Sequence, residues 1–263
     1  MTAVAVGGLD SPDSRIVGRE RSFLRGARYI GVPAAVALAC LAMYLYVQSQ
    51  DLDNIESRII NFRNIRVAAF QQIEIALWAT ALTLVVAVPL GIALTRPWAR
   101  RITPIIIAVA NIGQGVPAIG LLFFIYIVLI RSGSAAAIFG MAIYAVLPVL
   151  RGTMVGLQQV DRGVVKAARG MGMSKRSVLF RVEMPLAVPI LLTGVRTALV
   201  LTVATAVLAA FIGGGTFGEL IIGGQAQGRS LAVAVGSLGA AALAIMADWV
   251  GGIAEDLLRP KGL

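Results

Sequence analysis

The stretch Arg151–Pro185, RGTMVGLQQVDRGVVKAARGMGMSKRSVLFRVEMP, is a 35-residue polar interruption between two long apolar runs. It carries seven basic residues, from Arg151 to Arg181. Asp161 is a good N-cap, because its short carboxylate can accept from the free N–H groups of a first helical turn. The spacing predicts a helix over Arg162–Met171 that Gly172 ends. Ser174 then caps a second short helix, and Pro185 closes the segment where the next apolar run begins. Such a helix–turn–helix exposes Val164, Val165, Ala168, Met171 and Met173 beside Arg162, Lys166, Arg169, Lys175 and Arg176. Ala167, Ala168, Gly170 and Gly172 are small enough to let another protein's backbone approach. From periodicity alone two readings stand: a docking element, or a solvated basic loop that only sets topology.

Outward from this loop, long runs without charge dominate. They are Tyr29–Val47, Ile75–Thr95, Ile102–Ile130 and Ser132–Leu150, with 19, 21, 29 and 19 residues. Leu186–Gly218 is broken only by Arg196, and Ser230–Ala254 only by Asp248. Each reaches the roughly 20 residues a spanning helix needs. The 263 residues are 58% hydrophobic and only 14% charged, with a mean hydropathy of +0.86. A soluble domain carries about 25% charge, so the chain reads as an all-α polytopic membrane protein with about six transmembrane helices. The first run follows Arg15, Arg19, Arg21, Arg25 and Arg28, as a signal peptide would. It is long, however, and no A-x-A-like cleavage site follows, so an uncleaved helix with Cys40 as an ordinary side chain is expected.

The residues that are missing narrow the chemistry. There is no histidine, which removes Ser-His-Asp catalysis and the commonest metal ligand. One cysteine excludes an internal disulfide or a CxxC pair. Lys166, Lys175 and Lys261 are the three lysines, and none completes a phosphate-binding GxxxxGK[ST] loop.

The net charge of +10 is distributed unevenly. With the N-terminus inside, segments 1–28, 96–101, 151–185 and 255–263 hold 17 basic residues, and the outer segments hold 5. The positive-inside rule therefore places both termini and the 151–185 loop in the cytoplasm. The organisation expected is a cytoplasmic tail 1–28, a first helix 29–48, an outer segment 49–71, a helical domain 72–258 and a tail 259–263. In the outer segment Leu52, Ile55, Ile59, Phe62, Ile65 and Ala69 recur at helical spacing. They predict an amphipathic helix that either lies at the interface or offers a docking surface. The charged loops lack interleaved aromatic residues, so no nucleic-acid partner is expected.

Lys166-Ala167-Ala168, three residues, Gly172, nine residues, then Val182-x-Met184-Pro185 is similar to the EAA loop of ABC importer permeases. Lys166 stands where that family has glutamate. Pro89-Leu90-Gly91-Ile92, Leu147-Pro148-Val149-Leu150-Arg151, Gly194-Val195-Arg196-Thr197-Ala198 and Ala210-Phe211-Ile212-Gly213-Gly214-Gly215 resemble the osmoprotectant branch. The resemblance covers roughly residues 70–258; the first helix lies outside it. It implies a type I ABC importer permease (MetI-like) fold in a bacterial plasma membrane, surrounded by lipid. It implies no cofactor of its own, with ATP and Mg bound by cytoplasmic ATPase subunits. A second permease subunit and an extracytoplasmic substrate-binding protein are implied as partners, and glycine betaine, carnitine, choline or proline as solutes. The coupling-loop residues are then Lys166, Ala167, Ala168, Gly170, Met171, Gly172, Met173 and Pro185, with Asp161 as the cap that stiffens them.

Two runs are too long for straight crossings. Twenty-nine helical residues measure about 43 Å against a hydrocarbon core of about 30 Å. The third run contains Asn111-Ile112-Gly113-Gln114-Gly115-Val116-Pro117, so a broken helix is expected, with Asn111 and Gln114 facing a cavity or bonding a neighbouring helix. The fifth run should break near Gly213-Gly214-Gly215, leaving 216–228 as an outer gate or a simple connection. Arg196 lies at membrane depth and needs an acidic partner or a wet cavity; Asp248 is the candidate, and a structural or gating pair is favoured over ligand binding. Aromatic residues make up 6% of the chain and are scattered, so no ring cage for a quaternary ammonium is in view. The alternatives to an osmoprotectant permease are the same architecture carrying another small polar solute such as an amino acid, or a self-sufficient secondary transporter or channel.

Overall fold

The computed structural model describes residues 12–258, with side chains from Tyr29 onward. The start of the expected N-terminal tail and the tail 259–263 lie outside the described residues. Every regular element is helical, as a lipid-embedded chain requires when backbone groups have no water to bond. Helix α1 is Pro12–Gln48, α2 the single turn Glu56–Ile59, and α3 the long Phe62–Leu94. A 3-10 turn, Pro97–Ala99, leads to α4, Thr103–Gly115, and α5, Ala118–Val128. Then come α6, Gly133–Gln158, and two short helices, α7 at Arg162–Gly170 and α8 at Lys175–Val178. A π turn, Leu179–Glu183, joins α8 to α9, Met184–Thr205, which tightens into a 3-10 segment, Ala206–Ile212. Helices α10, Gly218–Ala226, and α11, Ser230–Leu258, complete the described chain. Among the described residues five helices are long and apolar enough to cross a membrane, or six if α4 and α5, bent by 96°, form one span.

Helices α3, α6 and α9 form the centre, and small residues set how closely they pack. A Cβ on Gly194 would lie 2.7 Å from the Pro148 carbonyl oxygen, and one on Gly152 3.1 Å from the Gly194 Cα. Gly194 has no room for a side chain and Gly152 little, which lets α6 and α9 cross at this distance. Hydroxyls bond across the same centre: Thr80 and Thr202 Oγ1 are 2.8 Å apart, and Thr83 donates to the Ala142 carbonyl at 3.1 Å. Large apolar side chains such as Phe70, Trp78, Val85 and Phe124 point away from the bundle, where hydrocarbon rather than water suits them.

Three elements differ from the pattern expected of the sequence. Helix α1 is continuous back to Pro12, into the segment read as a tail. The outer segment is not one amphipathic helix: α2 ends at Ile59, and Asn61 caps a new start, its Oδ1 accepting from the Asn64 N–H at 2.8 Å. Helix α3 thus begins well before the uncharged run, because hydropathy marks the lipid-crossing part of a helix and not its end. Pro185 does not end a segment. It sits in the first turn of α9, inside a continuous helical rod, Lys175–Ile212. In the π turn before it, the Met184 N–H reaches back to the Leu179 carbonyl, and this wider winding accommodates a ring that an α-turn would reject.

Candidate functional site

The loop between α6 and α9 is stiffened by local hydrogen bonds. Asp161 Oδ1 accepts from the Gly163 N–H at 2.6 Å and starts α7. At its other end Gly172 takes φ +86°, its N–H bonding the Arg169 carbonyl at 3.0 Å. The Met173 N–H reaches the Ala168 carbonyl at 3.2 Å, so the turn is a Schellman motif. Arg169 donates to the Met173 carbonyl at 2.9 Å, and Ser174 Oγ accepts from the Ser177 N–H at 3.2 Å. The exposed surface carries Val164, Lys166, Ala167, Gly170, Met171 and Gly172, with Met171 77% exposed. Ala168 is not on it: it is 3% exposed, and Val165 and Met173 are half-buried. The Ala168 methyl turns inward because the Schellman turn folds α7 back onto α8, whose Val178 is also buried. What remains outside is a small-residue, basic, Met-bearing face on a rigid support.

At membrane depth the structure brings Arg196 and Asp248 together. The guanidinium Nε and Nη2 each donate to one oxygen of Asp248 at 2.7 Å, the bidentate geometry that makes such pairs strong. The remaining Nη1 lies 3.4 Å from Glu255 Oε2, and Thr193 Oγ1 donates to Glu255 Oε1 at 2.9 Å. Open clefts of about 500 and 560 Å³ flank this network, the first along Thr197 and Val200, the second between Pro148, Gly152 and Pro189. With two carboxylates already on it, the arginine has little capacity left for the carboxylate of a ligand. The pair is an α9–α11 staple.

Asn111 and Gln114 both bond across to α6. Asn111 Oδ1 accepts from Arg151 at 2.9 Å, and Gln114 Nε2 donates to the Tyr144 carbonyl at 2.9 Å. Pro117 is the cap residue at the 96° bend. Gly213 and Gly215 take φ +73° and +80°, ending the 3-10 segment and turning the chain toward α10. A Cβ on Gly214 would press on Ala209. Thr216 follows at φ +81°, fully buried, which is strained for a β-branched residue. What holds it comes from α3. Gln71 Oε1 accepts from the Thr216 N–H at 3.3 Å, while Gln72 accepts from the Phe217 N–H and donates to the Val203 carbonyl, at 3.2 and 3.1 Å.

The family profile of binding-protein-dependent transport system inner membrane components matches residues 87–260. The chain belongs to that family. It is the permease component of an ABC importer, which transports and is not itself an ATPase; the reading as a self-sufficient secondary transporter falls with this. The permease is 36% identical over 193 residues to the glycine betaine/carnitine/choline transport system permease protein OpuCB of Bacillus subtilis, covering 73% of this chain and 88% of that protein. It is 34% identical to the carnitine transport permease protein OpuCB of Listeria monocytogenes, covering 77% and 92%. In fold it is similar to a chain of the MetNI methionine ABC transporter in inward-facing conformations, with a TM-score of 0.66, 19% identity and coverage of 75% and 97%. An amino acid ABC transporter solved with histidines gives 0.62, 16%, 80% and 99%. The type I importer permease architecture is therefore present.

Several residues that shape the permease escaped sequence reading. Gln71 and Gln72 lie beside an apolar run and Gln72 is fully buried; two adjacent amides at that place are the available signal. Phe180, in the π turn after α8, is 64% exposed, and no local pattern marks it as outward-facing. Glu255 had no local signal at all, since its partners Thr193 and Arg196 are about sixty residues away.

Proposed function

We propose that this permease imports small quaternary ammonium and related compatible solutes (glycine betaine, carnitine, choline, with proline as a further member). A cytoplasmic ATPase docks on α7–α8, a second permease subunit completes the pathway, and an extracytoplasmic binding protein supplies the solute. The observation that carries the substrate class is the identity of 34–36% to permeases named for these solutes, spread over about three-quarters of the chain. The geometry supports a division of labour: Arg196 is taken up by Asp248 and Glu255, so selection is left to the binding protein. Both termini and the docking loop lie in the cytoplasm of a bacterial plasma membrane, in keeping with the basic residues concentrated there.

Reconstitution in vesicles with its ATPase and binding protein tests this. ATP-dependent uptake of radiolabelled glycine betaine or choline is expected, unaffected by excess methionine. A binding protein that retains an amino acid and no quaternary ammonium would overturn the substrate assignment while leaving the permease role intact.

A further inference from the structure

The base of the docking loop is tied to a distant corner of the bundle. Arg96 Nη2 lies 2.7 Å from Glu183 Oε2, with 31% and 14% of the two side chains exposed. Glu183 closes the π turn Leu179–Glu183, inside the rod Lys175–Ile212. A π turn is a local irregularity in the helical ladder, so a rod loaded at α8 bends there first. Arg96 stands on the opposite side, at the N-cap of the 3-10 turn between α3 and α4.

That corner is stiff. Ala99 is fully buried in a cluster with Leu94, Val149, Leu150, Met154 and Ala198. Thr103 Oγ1 donates to the Ala99 and Leu94 carbonyls at 2.9 and 3.1 Å. Helix α4 leaves the corner as a short lever, held on α6 by Asn111 and Gln114 before the 96° bend into α5. The ion pair therefore joins the irregular turn of the rod to the packed corner between α3 and α4.

We propose that Arg96 and Glu183 are positioning residues for coupling: a strut that pins the π turn and passes displacement of α7–α8 to the α3–α4 corner. Without it, part of that displacement is lost as bending at Leu179–Glu183. This rests on the reading that α7–α8 docks the ATPase.

The test uses the assembled importer in vesicles, with ATPase co-purification from the unaltered permease measured first. Absence of any ATPase there removes the docking reading itself. Given docking, Arg96→Gln and Glu183→Gln are expected to keep the ATPase bound and hydrolysing while glycine betaine uptake per ATP falls at least about twofold, the lower end of the coupling between contacting residues. The exchange Arg96→Glu with Glu183→Arg should restore at least half of the lost ratio; if the exchanged protein does not insert, Arg96→Lys, which keeps the charge, replaces it as the rescue. An unchanged uptake-to-ATP ratio in the single variants, with only a lower melting temperature, overturns the strut. So does a rescue variant no better than the Gln variants, or loss of ATPase binding in them.

Discussion

Arg196 shows how a costly residue becomes a structural one. A guanidinium in the hydrocarbon region persists only if its charge is met, and Asp248 meets it with two parallel bonds at 2.7 Å. Removing Arg196 leaves Asp248 and Glu255 without their cation, whereas removing Asp248 as well leaves only Glu255, which keeps its bond from Thr193. Arg196→Met is therefore expected to destabilise the permease by about 3 kcal/mol, and adding Asp248→Leu to recover part of it. Melting in detergent reads both. Gly215 is the second telling residue, at φ +80° with the Gln71 amide against the place a Cβ would occupy. Gly215→Ala should cost about 1–3 kcal/mol, while Gly223→Ala, in open space on α10, should be neutral or slightly stabilising. Asp161, Gly172 and Ser174 were legible without the structure, because a cap bonds backbone two to five residues away and so leaves a local signature. Ala168 was misplaced for the complementary reason: the face it shows depends on how α7 folds onto α8.

Among the elements, α7–α8 acts as a unit only while its turn holds. Gly172→Asp puts a side chain at φ +86° and a negative charge on a basic face. The variant is expected to insert normally yet hydrolyse ATP without transport; normal uptake in vesicles would remove the docking role. At the opposite end, α2 is clasped to the start of α11 by Asp53 and Arg229, 2.6 Å apart. The Glu56 N–H, at 2.8 Å, does most to hold the Asp53 carboxyl below its ordinary range, with the Ile55 N–H and Arg229 acting in the same sense. A lowered value means the clasp contributes fully above the ordinary aspartate range, about pH 4, and is lost as pH falls below it. Hydrogen exchange at the Ile55 and Glu56 amides should show protection that is flat from neutral pH to about 4 and collapses in stronger acid. Arg229→Gln should leave the protection partly intact, since the two N–H bonds remain. The broken α4–α5 pair was legible from Pro117 and the glycines before it. Which groups of α6 its amides bond was not, because many partners satisfy an amide in lipid.

For the whole molecule, the separation of basic from neutral loops defines one testable topology. Reporter fusions after Gly172 should signal the cytoplasm and those after Gly228 the outside; the reverse pattern would invert the assignment of both termini. Hydropathy, charge asymmetry and cap chemistry are sums or neighbours along the chain, so the helical membrane class, the long apolar spans, the sidedness expected of them and the capped turn at Gly172 could be read from residue order alone. The tertiary structure decided which polar groups meet. Arg196 finds Asp248 across 52 residues, Arg96 finds Glu183 across 87, and Gln72 finds the Phe217 N–H across 145. Withdrawn from water, such groups need a partner, but nothing local says which one. Only the crossing of α3, α6, α9 and α11, set by glycine-lined contacts, selects it.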